Sequence, residues 1–386
     1  MALSNIDQDR WIPGLERVKK ALDILGHPEK SYPHILIGGT NGKGSACIYL
    51  ERLLLEAGRK TGVTISPHIS SYTERFRING RDSTEREIRD IEQEIAPLIN
   101  EIGLTYFELT VVLATRLFQK SQVDVGIFEI GLGGRLDAAN VLDPCLSIIT
   151  NISLDHTDYL GSSISDIALE KAAISRSGRP LITSAEEGLD VIKDYSKRIG
   201  SQLIIVDEPV RFRTGIDGFY QPLNAALAIR ALKELGFELE EDNIKFALGN
   251  AWLAGRVEHA GRVILDVAHN SASMLCLCKY LRKRKFSGIG VLGILKDKDF
   301  TAMTKMLSGV CSRINIAPLD SPRSWGKSEI GQVAGMGNVY VFTSLTDAFN
   351  DAFKMSEEVI VTGSFYSVSE IRECLICKGW LIYGQS

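Results

Sequence analysis

The chain reads as an α/β protein of two domains, and three observations predict this. Short β-branched runs alternate with longer amphipathic stretches along almost the whole sequence. Many of those runs are apolar nearly without interruption, as strands buried on both faces are. The 386 residues also exceed the roughly 250–300 at which one hydrophobic core stops growing.

In chain order the first half supplies strands over His34–Ile37, Thr61–Ile65, Val123–Ile130, Leu146–Thr150, Pro180–Thr183 and Leu203–Val206. A helical stretch around Pro222–Leu235 follows, and then the pattern restarts. Its second half gives Val263–Val267, Ile289–Ile294, Arg313–Ala317, Val339–Phe342 and Val359–Thr362. Antiparallel additions are compatible with this pattern, and there is neither an internal repeat nor a low-complexity linker. The boundary is expected near Asn250–Arg256, giving a first domain over 1–252 and a smaller second one over 253–386.

Composition narrows the function classes. Hydrophobic residues make up 45% and charged residues 24%, which excludes a disordered chain, a collagen-like fibre and a coiled coil. The net charge is −4, and the cluster Arg282-Lys283-Arg284-Lys285 reads as a solvated helix end, so nucleic acid is not expected as a partner. No run approaches 18 apolar residues, so no membrane span is expected. Met1–Lys20 is broken by Asp7, Asp9, Arg10, Glu16 and Arg17 and lacks the apolar region of a signal peptide. Seven sparse cysteines fit buried thiols in a reducing cytosol. Cys374-Leu-Ile-Cys377 stands without the second ligand pair that zinc needs.

The sharpest motif is Gly38-Gly39-Thr40-Asn41-Gly42-Lys43-Gly44-Ser45, after the strand at His34 and before a helix expected over Ala46–Ala57. Glycines let backbone N–H groups turn inward around a phosphate, and the helix N-terminus adds positive dipole. Lys43 supplies a mobile charge for the β/γ-phosphates, and Ser45 a hydroxyl. The spelling departs from the plain Walker A pattern by a glycine between Lys43 and Ser45.

The remaining candidates are weaker singly. Glu129 ends the strand Val123–Ile130, where a carboxylate either holds Mg²⁺ or pairs with Arg135. Asp155-His156-Thr157-Asp158 follows the strand Leu146–Thr150, as a metal ligand or base, or as a surface loop. Lys171, in Glu170-Lys171-Ala172, reads alone as a solvated helix lysine. Asp266 closes the first strand of the second domain, where a carboxylate can accept from both ribose hydroxyls, and His269 lies three residues on. Arg256 either meets a nucleotide phosphate or forms a hinge salt bridge.

Taken in order, these segments resemble a known family. They are Gly39–Ser45, Ser66-Pro-His68 with Tyr72-Thr-Glu-Arg75, Tyr106-Phe-Glu108, Phe128–Ala138, Leu154–Asp158, Glu170–Ala172, Gln221-Pro-Leu-Asn224, Gly255-Arg256, Asp266–Asn270 and Gly363-Ser-Phe365. The whole is similar to the folylpolyglutamate synthase/dihydrofolate synthase family of the Mur ligase superfamily, from about Leu15 to the C-terminus. The resemblance implies an N-terminal P-loop ATPase domain, like the Mur ligase central domain, and a Rossmann-like C-terminal domain. It implies an ATP-dependent ligase that adds L-glutamate to dihydropteroate or to a reduced folate through an acyl phosphate, a cytoplasmic location and a monomer.

The resemblance also assigns residues. Asn41, Gly42, Lys43, Gly44, Ser45, Asn224, Arg256, Asp266 and His269 would bind ATP. Ser66, Glu129 and His156 would hold Mg²⁺. Lys171 matches a lysine that relatives carbamylate with CO₂. Phe107, Glu108, Leu136, Asp137 and Ala138 match segments lining the pterin pocket. Three departures stand out: Ala254 where relatives carry proline before Gly-Arg, a short stretch over Val206–Gln221, and no Tyr-Leu-bearing helix within Met1–Arg10. Two other readings share parts of the pattern. A ligase of UDP-muramoyl peptides conflicts with Ser66-Pro-His68 and Gly131–Asp137. A nucleotide-binding switch without ligase chemistry has no need of Asp266 and His269.

Overall fold

The computed structural model describes residues 12–331 and 337–381, so Met1–Arg10 lies outside the described residues. Its chain divides into two compact units. One comprises residues up to His68, Tyr72–Gly215 and Pro222–Ala251; the other gathers Ile69–Ser71, Ile216–Gln221 and the chain from Trp252 on.

The first unit is built on an eight-stranded sheet. Its strands are β1 (His34–Gly38), β2 (Thr61–Thr64), β3 (Phe76–Ile78), β4 (Arg81–Asp82), β5 (Val125–Glu129), β6 (Leu146–Ile149), β7 (Pro180–Thr183) and β8 (Gln202–Ile205). They run in the order β4-β3-β2-β5-β1-β6-β7-β8. All pairings are parallel except those of β3 with β2 and β4. β1 sits between β5 and β6, where the connections turn to opposite edges, and its carboxyl end opens the crevice that such sheets offer a ligand. The strand positions inferred from β-branched runs coincide with the six parallel strands to within two residues. The β3–β4 hairpin was not among them because its strands are too short to show alternation. Its one sequence signal is Asn79-Gly80, both left-handed at the turn.

The second unit carries a six-stranded sheet of β9 (Glu258–Ala260), β10 (Val263–Leu265), β11 (Ile289–Leu292), β12 (Arg313–Ile316), β13 (Val339–Val341) and β14 (Val359–Thr362). The order is β13-β12-β11-β14-β10-β9, with only β9 antiparallel. Every residue of β1, β5, β10, β11 and β14 is buried, as expected of strands covered on both faces. Among the described residues no helix is long and apolar enough to cross a membrane. The basic run Arg282–Lys285 ends the Ser271–Lys283 helix, where cations suit the helix dipole. Arg284 there pairs with Glu358 at 2.7 Å.

A buried ion network ties the hairpin to the Lys43–Glu56 helix. Arg77 Nε donates to Glu51 Oε2 at 2.9 Å, Nη1 to Asp82 at 2.7 Å and Nη2 to the Gly80 carbonyl at 2.6 Å. Glu51 is fully buried, so losing its partner strands a charge. Arg77→Met should therefore cost about 3–5 kcal/mol, read as a lower urea midpoint at unchanged slope; an unshifted midpoint would show that the network carries no net stability.

Candidate functional site

At the carboxyl end of β1 the chain turns through Gly39–Gly42 into the Lys43–Glu56 helix. The helix starts three residues before the expected Ala46, so Lys43 occupies its first turn and Gly42, at φ +84°, is the N-cap. Gly39 has φ +132°, and a Cβ there would lie 1.9 Å from Thr150 Oγ1. A Cβ on Gly42 would meet Asn224 Nδ2 at 2.8 Å, so the Asn224 amide stands against the loop.

The loop is pinned from the end of β6. Asn41 N–H donates to Asn151 Oδ1 at 3.0 Å, and the Asn41 carbonyl accepts from Thr150 Oγ1 at 2.7 Å and Asn151 Nδ2 at 2.9 Å. Thr40 Oγ1 donates to the Ser153 carbonyl at 3.2 Å. Thr150, Asn151 and Ser153 were not singled out in the sequence; their only signal was polar side chains at the end of a predicted strand.

Two lysines meet at this loop. Lys43 Nζ donates to the carbonyls of Gly39 and Thr40, at 3.2 and 3.1 Å. Lys171 Nζ donates to the same Gly39 carbonyl at 3.0 Å. Lys171 is 4% exposed, so the reading of it as a solvated helix lysine is corrected: the Ile164–Ala172 helix turns it inward. Burial, and then the neighbouring Lys43 ammonium, push its amine down to about 7, against the pull of Asp155 and Asp137.

The carboxylates divide by what already occupies them. Glu129, at the end of β5, accepts the Ser66 N–H at 2.7 Å, whereas Arg135 pairs with Glu170 at 2.8 Å. Asp137 accepts backbone N–H groups from Gly131, Leu132 and Ala139 at 2.9–3.0 Å. Burial nevertheless raises its carboxyl to about 6. Glu108 closes a capping box with Thr105 and takes a forked contact from Arg17, with Nη2 at 2.7 Å. Phe107 packs against Gly131, Leu136 is half-buried and Ala138 is buried. His156, at φ +51°, keeps 36% of its side chain exposed, with Asp155 Oδ2 3.8 Å from Nε2. Ser45 is fully buried in the first turn of the loop's helix, and Gly44 is buried beside it.

In the second unit Arg256 is flanked by Gly255 at φ +64° and Val257 at φ +50°. A β-branched residue in the left-handed region costs about 1–3 kcal/mol and persists only where its surroundings over-determine it. Asp266 supplies part of that hold, accepting Val257 N–H at 3.0 Å on one oxygen and Ala268 N–H at 2.9 Å on the other. Burial raises its carboxyl, opposed by the Arg256 guanidinium. His269 Nδ1 donates to the Val267 carbonyl at 2.9 Å. Phe365 lies next to both, with Arg256 Cζ 5.2 Å and the His269 ring 5.5 Å from its ring centre.

Gly39→Ala should displace the loop, because neither φ +132° nor the Thr150 hydroxyl leaves room for a methyl group. Nucleotide affinity by calorimetry is expected to fall at least tenfold, an estimate of about 1.4 kcal/mol or more; parental affinity would contradict the loop assignment.

Comparison with known proteins shows what the chain is similar to. The model of the Mur ligase middle domain matches residues 37–208, and that of the Mur ligase glutamate ligase domain matches 255–365. The dihydrofolate synthase/folylpolyglutamate synthase of Escherichia coli is 36% identical over 97% of this chain and 94% of its own. The structure of Escherichia coli FolC in complex with DHPP and ADP superposes with a TM-score of 0.89, at 34% identity, covering 98% of this chain and 96% of that one. A bifunctional folylpolyglutamate synthase/dihydrofolate synthase from Yersinia pestis, complexed with AMPPNP and Mn, gives 0.87 at 34% identity, over 97% and 96%.

Proposed function

The chain belongs to the dihydrofolate synthase/folylpolyglutamate synthase family of Mur ligases, and from that premise we propose how its own residues carry the reaction. It is an ATP-dependent ligase that adds L-glutamate to dihydropteroate, to the glutamate tail of reduced folates, or to both. The observation that carries the assignment of residues is the convergence of Lys43 and Lys171 on one carbonyl at the head of a helix.

A carboxylate is a poor electrophile because its charge repels an amine. Transfer of the γ-phosphoryl group of ATP to a carboxylate oxygen makes an acyl phosphate. The glutamate amine then attacks the acyl carbon, phosphate leaves with its bonding pair, and the amine proton goes to solvent or base. Such transfer calls for positioning and charge neutralisation more than for a protein nucleophile. Residues Asn41–Ser45 cradle the phosphates, with the Lys43 ammonium free to swing from backbone carbonyls to phosphate oxygens. Asn224, standing against Gly42, borders the same cradle. In the second unit Arg256, Asp266 and His269 take nucleotide contacts.

Ser66, Glu129 and His156 would hold the Mg²⁺ ion in this reading. The Ser66 N–H holds the Glu129 carboxylate at the end of β5, and a carboxylate and a hydroxyl are the hard oxygen donors that this ion prefers. Magnesium commonly takes only one or two carboxylates and completes its shell with substrate phosphates and water. The chemistry such an ion would supply is neutralisation of charge on the transferred phosphoryl group. Phe107, Glu108, Leu136, Asp137 and Ala138 frame the pterin end. There Glu108 and Asp137 act chiefly by fixing the backbone they bind.

Lys171 is suited to carbamylation. An amine titrating at about 7 is substantially neutral at physiological pH, so its lone pair attacks CO₂, forming a carbamate and releasing one proton. That reverses the charge beside Lys43 from repulsive to attractive.

Product mass is the direct test of the activity. With ATP, Mg²⁺ and L-glutamate, dihydropteroate and tetrahydrofolate are offered separately; a glutamate-sized gain on each is expected, and a gain on neither would overturn the substrate assignment. Lys43→Ala should abolish turnover while leaving the fold intact. Lys171→Ala should lose most activity and regain part of it with short carboxylic acids. Incorporation of labelled CO₂ into the parent should rise as pH climbs through about 7, since the neutral amine is the reactive form; labelling that fell over that range would rule out carbamylation.

A further inference from the structure

Arg372, on the Phe365–Cys377 helix, is 1% exposed and heads the fully buried side chains in size among the described residues. A guanidinium at that depth persists only when paired. Its Nε donates to both oxygens of Glu258, at 3.1 and 3.2 Å, and its Nη1 donates to Ser70 Oγ at 2.8 Å. Glu258 is buried as well, and its Oε2 also accepts the Gly255 N–H at 2.9 Å. The pair therefore ends on the amide N–H of Gly255, the residue before Arg256.

That connection meets a specific need. Arg256 stands between two left-handed residues, one of them the unfavourable Val257. Asp266 holds the Val257 N–H after Arg256, and Glu258 holds the Gly255 N–H of the residue before it. Two apolar side chains of similar volume would serve stability as well as a buried ion pair does. They would offer the Gly255 amide no acceptor. A Cβ on Gly255 would lie 2.6–3.3 Å from Ile69, Val267 and Val368, so the turn has little room to relax elsewhere.

We propose that the buried Arg372–Glu258 pair is a positioning device for Arg256: it locks the Gly255 amide and thereby aims the Arg256 guanidinium across Phe365 toward nucleotide. Arg372 and Glu258 contact no substrate in this scheme. The inference rests on Arg256 as a nucleotide contact.

The test uses the full chain and steady-state kinetics with ATP varied. In Glu258→Leu/Arg372→Met the KM for ATP should rise about tenfold with kcat within about twofold, the signature of lost positioning for binding. The KM for glutamate and the unfolding midpoint should stay near the parent's, which a merely structural role would not predict. Arg256→Ala should raise the ATP KM at least as much, and adding the double substitution to it should change little more, because both act through one side chain. Arg372→Lys keeps the charge but loses the fork; it should show an intermediate KM, and it carries the test if the double variant does not fold. Parental ATP KM in both pair variants, or effects that add fully to Arg256→Ala, would overturn the positioning role and leave Arg256 itself standing. Parental ATP KM in Arg256→Ala would overturn the nucleotide role of Arg256 and this inference together.

Discussion

The Gly39 carbonyl is the point on which the first unit's site depends. Two lysine amines share that one oxygen, and with both protonated their like charges repel strongly in a medium less polarisable than water. The arrangement persists because both lysines are held by elements the sheet fixes independently. Lys43 stands in the first turn of the helix after β1, and Lys171 near the end of a helix that leads on toward β7. Burial first, and then that repulsion, drive down the amine of Lys171, the more buried of the two. An anion arriving at the loop relieves it. The resting geometry thus favours negative charge at the loop.

Around that point the buried carboxylates serve two purposes. Asp137 and Glu108 spend their oxygens on backbone N–H groups and on Arg17. They shape the Gly131–Asp137 loop and the start of the Tyr106–Lys120 helix. Glu129 lies at a strand end in register with Ile37, one residue short of the loop's own glycines. Position at the end of a parallel strand, more than residue type, separates a carboxylate suited to a cation from one that organises a turn.

The second unit solves a similar problem by backbone constraint. Gly255 and Val257 bend the chain sharply on either side of Arg256, and two acidic side chains grip the amides that the bend exposes. Asp266 is consequently a structural acceptor before any ligand arrives. The strain at Val257 is a cost met by surrounding packing, since its side chain is buried in the apolar cluster beneath β10 and β11.

Much of this was legible in the sequence. Buried parallel strands announce themselves as apolar runs, and a Gly-rich segment between strand and helix has few other uses, so the two sheets and the loop at Gly39–Ser45 followed from residue types alone. Local pattern could not decide Lys171, Arg135 or Arg372. A lysine in Glu-Lys-Ala reads as exposed whatever the tertiary fold does with it, and Arg135 finds Glu170 rather than the nearer Glu129 because the loop folds back onto a helix. Arg372 looks like any helix arginine until Glu258 and Ser70, distant in sequence, close around it. Periodicity reports which face of an element is apolar; whether a charge is buried, and against what, is settled only when separate segments exclude water together.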